Sequence, residues 1–173
     1  MSRHFASIAC ACLAAVLSPG VMAAGPGNAA DGSSPFTLSD VNRVAMTTAA
    51  GVQVYSCEYD QAHRLQWVFA RPQATLYDAS GAAVIEHGKG PSWKAGDGSR
   101  IEGELISQAP SATPGSIPQL LLRAKSVAGN GMLADVRYVE RLDTVGGAAP
   151  PAACTTEHQI GQSPYLARYV FWK

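Results

Sequence analysis

The sequence predicts an all-β domain: a single antiparallel barrel-like or sandwich domain of about eight strands, preceded by a signal peptide. Three observations carry that expectation. Gly (17) and Pro (11) are abundant in a chain of 173 residues, which suits short strands joined by turns better than a helix bundle. From Gly51 onward apolar and polar residues alternate with period two, the period of a strand with one buried face. Turn-forming clusters fall between the alternating runs, among them Asp78-Ala79-Ser80-Gly81, Gly96-Asp97-Gly98 and Gly129-Asn130-Gly131.

The chain opens on an address. Arg3 supplies a positive start, Ile8 to Leu17 form an apolar run, Ser18-Pro19-Gly20 breaks it, and Val21-Met22-Ala23 offers the small residues a signal peptidase requires. Residues 1–23 are therefore expected to be a signal peptide cut after Ala23 or Ala24. The apolar run is too short for a bilayer span, which needs about 20 residues, and no later segment reads as one. The expected destination is the periplasm or the extracellular space. Residues 24–50 are expected to be a flexible N-terminal lead, in which 37–48 could form a short helix capped by Thr37 or Ser39.

Residues 51–173 are expected to form the β domain. Val52, Val54 and Ser56 alternate with Gln53, Tyr55 and Cys57, and Gln66 to Ala70 follow as a second strand that Pro72 should end. Ala74–Tyr77 and Ala82–His87 flank one hairpin turn; Ser92–Lys94 and Ser99–Ser107 flank another. Gln119–Val127 has an apolar centre, Leu120-Leu121-Leu122, that suits a mid-sheet strand. Gly129-Asn130-Gly131 should turn it into a strand over Leu133–Leu142. After a long Gly/Pro/Ala loop, the last strand sets Tyr165, Ala167, Tyr169 and Phe171 against Leu166, Arg168, Val170 and Trp172.

Composition narrows the function. Lys plus Arg (13) equals Asp plus Glu (13), so nothing favours nucleic acid, which demands clustered cations. A hydrophobic fraction of 47% against 15% charged excludes an intrinsically disordered chain. Cys10 and Cys12 leave with the signal peptide; Ser7 and Ala9 stand where a lipid-attachment signal wants an aliphatic residue. Cys57 and Cys154 remain, and an even pair in an exported chain reads as one disulfide, with two free thiols as the alternative. No C-x-x-C or H-x-x-x-H spacing points to a metal, and no cofactor is expected.

The order of motifs resembles DUF3455, a bacterial and fungal family of exported proteins catalogued only as a domain of unknown function. The resemblance rests on Gly51-Val52-Gln53-Val54-Tyr55-x-Cys57, Trp67-Val68-Phe69, Ala74-Thr75-Leu76-Tyr77-Asp78, His87-x-x-Gly90-Pro91-x-Trp93 and Asp97-Gly98-Ser99. It continues through Ile117-Pro118-x-Leu120-Leu121-Leu122, Arg141-Leu142-x-Thr144-x-Gly146-Gly147, Cys154 and Tyr165-x-Ala167-x-Tyr169-x-Phe171. What it implies is an exported β-rich domain with no established activity. A nucleotide-dependent dehydrogenase, a name some relatives carry automatically, is excluded: no G-x-G-x-x-G follows a strand, and no βαβ alternation exists.

The densest polar-aromatic stretch is His87–Arg100 (HGKGPSWKAGDGSR). One reading is a ligand-binding rim: Trp93 gives a flat face, and His87, Asp97 and Arg100 give directional hydrogen bonds. The competing reading makes the turns mere turns, Trp93 core and His87 a strand end. A hydrolase would use Ser99, His87 and Asp97, but Asp97 and Ser99 share one tight turn and no G-x-S-x-G elbow exists. Glu102 and Glu104 read as a solvated strand face. His63 and His158 read as loop residues. Arg137, Arg141 and Arg168 could together bind an anion, but balanced by Asp135, Glu140 and Asp143 they read first as ordinary surface pairs. The expected function is non-catalytic binding of a small molecule or of an envelope or extracellular partner, with a hydrolase using the His87/Asp97 region as the alternative.

Overall fold

Eight strands follow one another around a closed ring in this computed structural model, which describes Met1 and residues 33–173. The expected signal peptide, with Cys10 and Cys12, and the beginning of the expected lead lie outside the described residues. The strands are β1 (Arg43–Tyr59), β2 (Leu65–Tyr77), β3 (Ala83–Gly88), β4 (Ser92–Ala95), β5 (Arg100–Ala109), β6 (Gln119–Ala128), β7 (Tyr138–Gly146) and β8 (Ile160–Trp172). Each pairs antiparallel with its sequence neighbour. β1 and β8 close the ring, from Arg43↔Trp172 to Ser56↔Ile160. The fold is thus a barrel and not a sandwich. Closure leaves no edge strand among the described residues to template association. Among the described residues no helix is long and apolar enough to cross a membrane.

Up-and-down order has a geometric consequence. Successive connections alternate between the two ends of the barrel. The β1–β2, β3–β4, β5–β6 and β7–β8 connections form one end, the mouth. The β2–β3, β4–β5 and β6–β7 connections form the other, the base.

Inward residues follow the strand period. The core gathers Ala49, Leu76, Ile85, Trp93, Ile101, Leu122, Val139, Tyr169 and Phe171, each buried. Trp93 lies edge-on to Tyr169 at 6.0 Å and to Phe171 at 6.2 Å. Its indole fits because β5, which pairs Ile101 with Trp93, carries Gly103 against the far edge of the ring: a Cβ there would stand 2.8 Å from it. Burying each large apolar side chain stabilises the fold by about 1.5–3 kcal/mol. Cys57 and Cys154 are bonded, with Cα atoms 5.8 Å apart, tying the end of β1 to the loop before β8.

Three elements differ from the sequence reading. The first strand begins at Arg43, and residues 37–48 hold no helix; their alternating residues extend β1, because β8 supplies a partner that the sequence does not announce. Pro72 does not end a strand. It lies inside β2 opposite Gln53, beyond Ala74–Tyr77 where β3 pairs, so its missing N–H falls where β2 has outrun β3. The seventh strand begins at Tyr138, not Leu133. Leu133 and Val136, 0% and 3% exposed, belong instead to the β6–β7 connection and plug the base of the barrel.

Candidate functional site

The strand lengths shape the mouth. β3 and β4 have 6 and 4 residues, whereas β2 has 13 and rises well past them. Beneath that overhang lies a cavity of about 560 Å³, within the usual range for small-molecule sites. β1 contributes Gln53 and Tyr55, β2 contributes Phe69 to Pro72, and the β3–β4 turn contributes His87 and Lys89 to Pro91. Leu105, Ile117, Pro118, Leu120, Leu122 and Arg141 complete the wall.

His87 is 4% exposed and lies face to face with Trp93, ring centroids 4.7 Å apart and planes 9° from parallel. Its Nδ1 donates to the Ser92 carbonyl at 2.9 Å. Burial, and then the charge of Arg141, lower its pKa from 6.5 to about 4, so the ring is neutral at physiological pH. Tyr55 donates its hydroxyl to the Gly147 carbonyl at 2.7 Å, which holds the β7–β8 loop over the mouth. Burial also raises the Tyr55 pKa.

Arg141 is the central charge. It is 9% exposed, and its Nε and Nη2 donate to the Pro118 carbonyl at 3.2 and 2.9 Å. Its field reaches Tyr55, His87, Tyr165 and Tyr169. No carboxylate pairs with it among the described residues. Gln53, 1% exposed, lines the same cavity, and its Nε2 has no partner among them either. Deeper still, the buried Tyr165 and Tyr169 hydroxyls lie near one another and near Arg141 without a well-formed hydrogen bond, and burial raises both pKa values.

The four rim residues expected from the sequence are divided by the fold. His87 and Trp93 are together, but inside: Trp93 is 1% exposed and presents no free face, and only His87 touches the mouth cavity. Asp97 sits at the base, because the β4–β5 turn and the β3–β4 turn occupy opposite ends. There its Oδ1 accepts from the Ser99 backbone and hydroxyl at 2.9 and 2.6 Å, and its Oδ2 from Met132 N at 2.7 Å. Those bonds, the Met132 one first, hold its pKa below the usual range. Arg100 is on the outer face, paired with Glu102 at 2.8 Å, and lines an open groove with Lys94, Gln73 and His87, so His87 and Arg100 border one groove although Trp93 and Asp97 do not.

Ser99, His87 and Asp97 are not assembled into a triad. His87 bonds to Ser92, Asp97 bonds to Ser99 and Met132, and the Ser99 hydroxyl also accepts from Leu133 N at 3.1 Å. Ser99 and Asp97 together anchor the basal plug. Arg168 does pair with Asp143, at 2.6 Å, as a surface charge should. Arg141 and Glu140 do not behave so. Arg141 turns inward, and Glu140, 2% exposed, accepts from the Ser34 hydroxyl at 2.5 Å and Trp172 Nε1 at 2.8 Å. Near the disulfide the fold gathers Glu58, Glu157 and His158, with one ligand atom of each within 4.8 Å of the others. The group lies at the surface, where His158 Nδ1 stands 3.2 Å from Glu58.

Sequence reasoning missed Gln53 and ranked Arg141 as a surface charge first. Gln53 alternates in phase with Tyr55 and Cys57 on the inward side of β1, and that was the available signal. The sequence offers Arg141, with Arg137 and Arg168, as an anion site, but Glu140 and Asp143 beside it resemble surface partners and outweigh that reading. A family model described as a protein of unknown function, DUF3455, matches residues 39–173. No curated protein and no solved structure matches the chain.

Proposed function

The chain belongs to the DUF3455 family, described as proteins of unknown function, and from that premise we propose that it is an exported, non-catalytic protein that binds a small molecule in the mouth of its barrel. One observation carries this reading. A cavity of about 560 Å³ combines apolar walls with the buried Gln53 amide, whose Nε2 has no acceptor among the described residues, and the buried Arg141 guanidinium, which bonds to the Pro118 carbonyl but has no counter-charge among them. Buried polar groups are ordinarily satisfied, and leaving one unsatisfied costs about 1–3 kcal/mol. A ligand that completes them recovers that energy on binding. Export is supported by the Cys57–Cys154 disulfide, a bond that persists in oxidising compartments.

The test is mass spectrometry of the protein purified from its native compartment, under non-denaturing and then denaturing conditions. The expected result is an excess mass that disappears on denaturation. Leu120→Trp, which fills the cavity wall, should abolish the excess while the barrel stays folded by circular dichroism. An unliganded mass in every preparation, together with no thermal stabilisation by any member of a metabolite library, would contradict the reading.

A further inference from the structure

We propose that the ligand of the mouth cavity is an organic monoanion, a carboxylate on an apolar body, and that Arg141 is its anchor. This rests on the binding reading above and goes on to commit to a chemical class. Three observations converge. Among the described residues the cavity wall carries three cations, Arg71, Lys89 and Arg141, and no carboxylate. Arg141 is nine-tenths buried, and a buried charge without a counter-ion is strongly unfavourable unless something neutralises it. A guanidinium has five N–H donors in a planar fork, and the Pro118 carbonyl engages only Nε and Nη2.

Gln53 supplies the second point of attachment. Its buried Nε2 has hydrogens and no acceptor among the described residues, and a carboxylate offers an oxygen to it as well as to Arg141. A cationic ligand would leave both groups unsatisfied and add repulsion. A neutral one would leave the charge of Arg141 uncompensated. His87 does not alter the balance, since it is neutral above about pH 4. The chain or ring attached to the carboxylate would lie along Leu120, Leu122, Leu105 and Phe69, of which Leu105 and Phe69 are half exposed at the opening. Arg71 and Lys89 at the rim would draw the anion in.

The experiment is isothermal titration calorimetry at pH 7.5 with three probes of one chain length: octanoate, 1-octanol and octyltrimethylammonium. The expected result is one octanoate site, at least about tenfold tighter than 1-octanol, with no detectable binding of octyltrimethylammonium. Arg141→Gln, which keeps a donor for Pro118, should bring octanoate down to the level of 1-octanol. Arg141→Lys should retain part of the preference. Equal affinity for octanoate and 1-octanol would overturn the anion assignment while leaving a binding cavity. Binding by none of the three up to millimolar concentration would overturn both. If Arg141→Gln does not fold, the probe series on the native sequence decides alone.

Discussion

His87 links the interior chemistry to a solution observable. Its pKa is about 4 in the folded barrel, against 6.5 for a free side chain, first because burial disfavours the imidazolium. The unfolded chain therefore binds more protons than the folded one between those values. Stability is complete above about pH 6.5 and declines as pH falls toward 4, by on the order of 3 kcal/mol in all. Urea unfolding at a series of pH values should show that slope, and His87→Phe, which keeps a ring against Trp93, should flatten it. A second residue-scale expectation concerns Gly103. A methyl group there meets the Trp93 indole at 2.8 Å and Leu122 at 3.2 Å. Gly103→Ala should destabilise the barrel by about 1–3 kcal/mol and change the tryptophan near-ultraviolet circular dichroism.

At the scale of elements, the two ends of the barrel do different work. The base is sealed by the β6–β7 connection, which inserts Leu133 and Val136 and is pinned by Asp97 and Ser99. Leu133→Ala should cost about 2–5 kcal/mol by leaving a cavity under the plug, read as a lower denaturation midpoint. Asp97→Ala should speed hydrogen exchange at Met132 and Leu133 and leave ligand affinity at the mouth unchanged. How much of this is legible in the sequence differs by strand. β8 is legible throughout, because Tyr165, Ala167, Tyr169 and Phe171 are apolar or aromatic at every second position and all are buried. β7 is not. Its inward set is Val139 and Arg141, and the charged neighbours Glu140 and Arg141 are both buried on opposite faces. The buried Glu140 is satisfied by hydrogen bonds from Ser34 and Trp172, both distant in the chain, and period alone cannot report such partners. The site follows the same rule. His87 and Trp93 lie on neighbouring strands of one hairpin and stack, whereas Gln53 and Arg141 come to line one cavity only because the ring closes.

For the whole molecule, closure is reinforced covalently. The Cys57–Cys154 bond spans 97 residues and joins the end of the first strand to the approach of the last. Chain entropy places its contribution at up to about 4.7 kcal/mol for a loop of roughly 100 residues. The double variant Cys57→Ala/Cys154→Ala should therefore lose about 2–5 kcal/mol in denaturant unfolding. That the sequence forecasts this pair and the strand count, but not barrel over sandwich, has a simple cause. Local alternation defines strands, while β1–β8 pairing is a long-range event. The account as a whole stands on the mouth cavity as the binding site. Nitrogen–proton correlation spectra of the folded protein titrated with octanoate test it most directly. Saturable shifts are expected at the Gln53 side-chain amide and Arg141 Nε, with Asp97 and Arg100 backbone signals unmoved. Shifts confined to the outer groove around Arg100 and Lys94, or none at saturating octanoate, would contradict it.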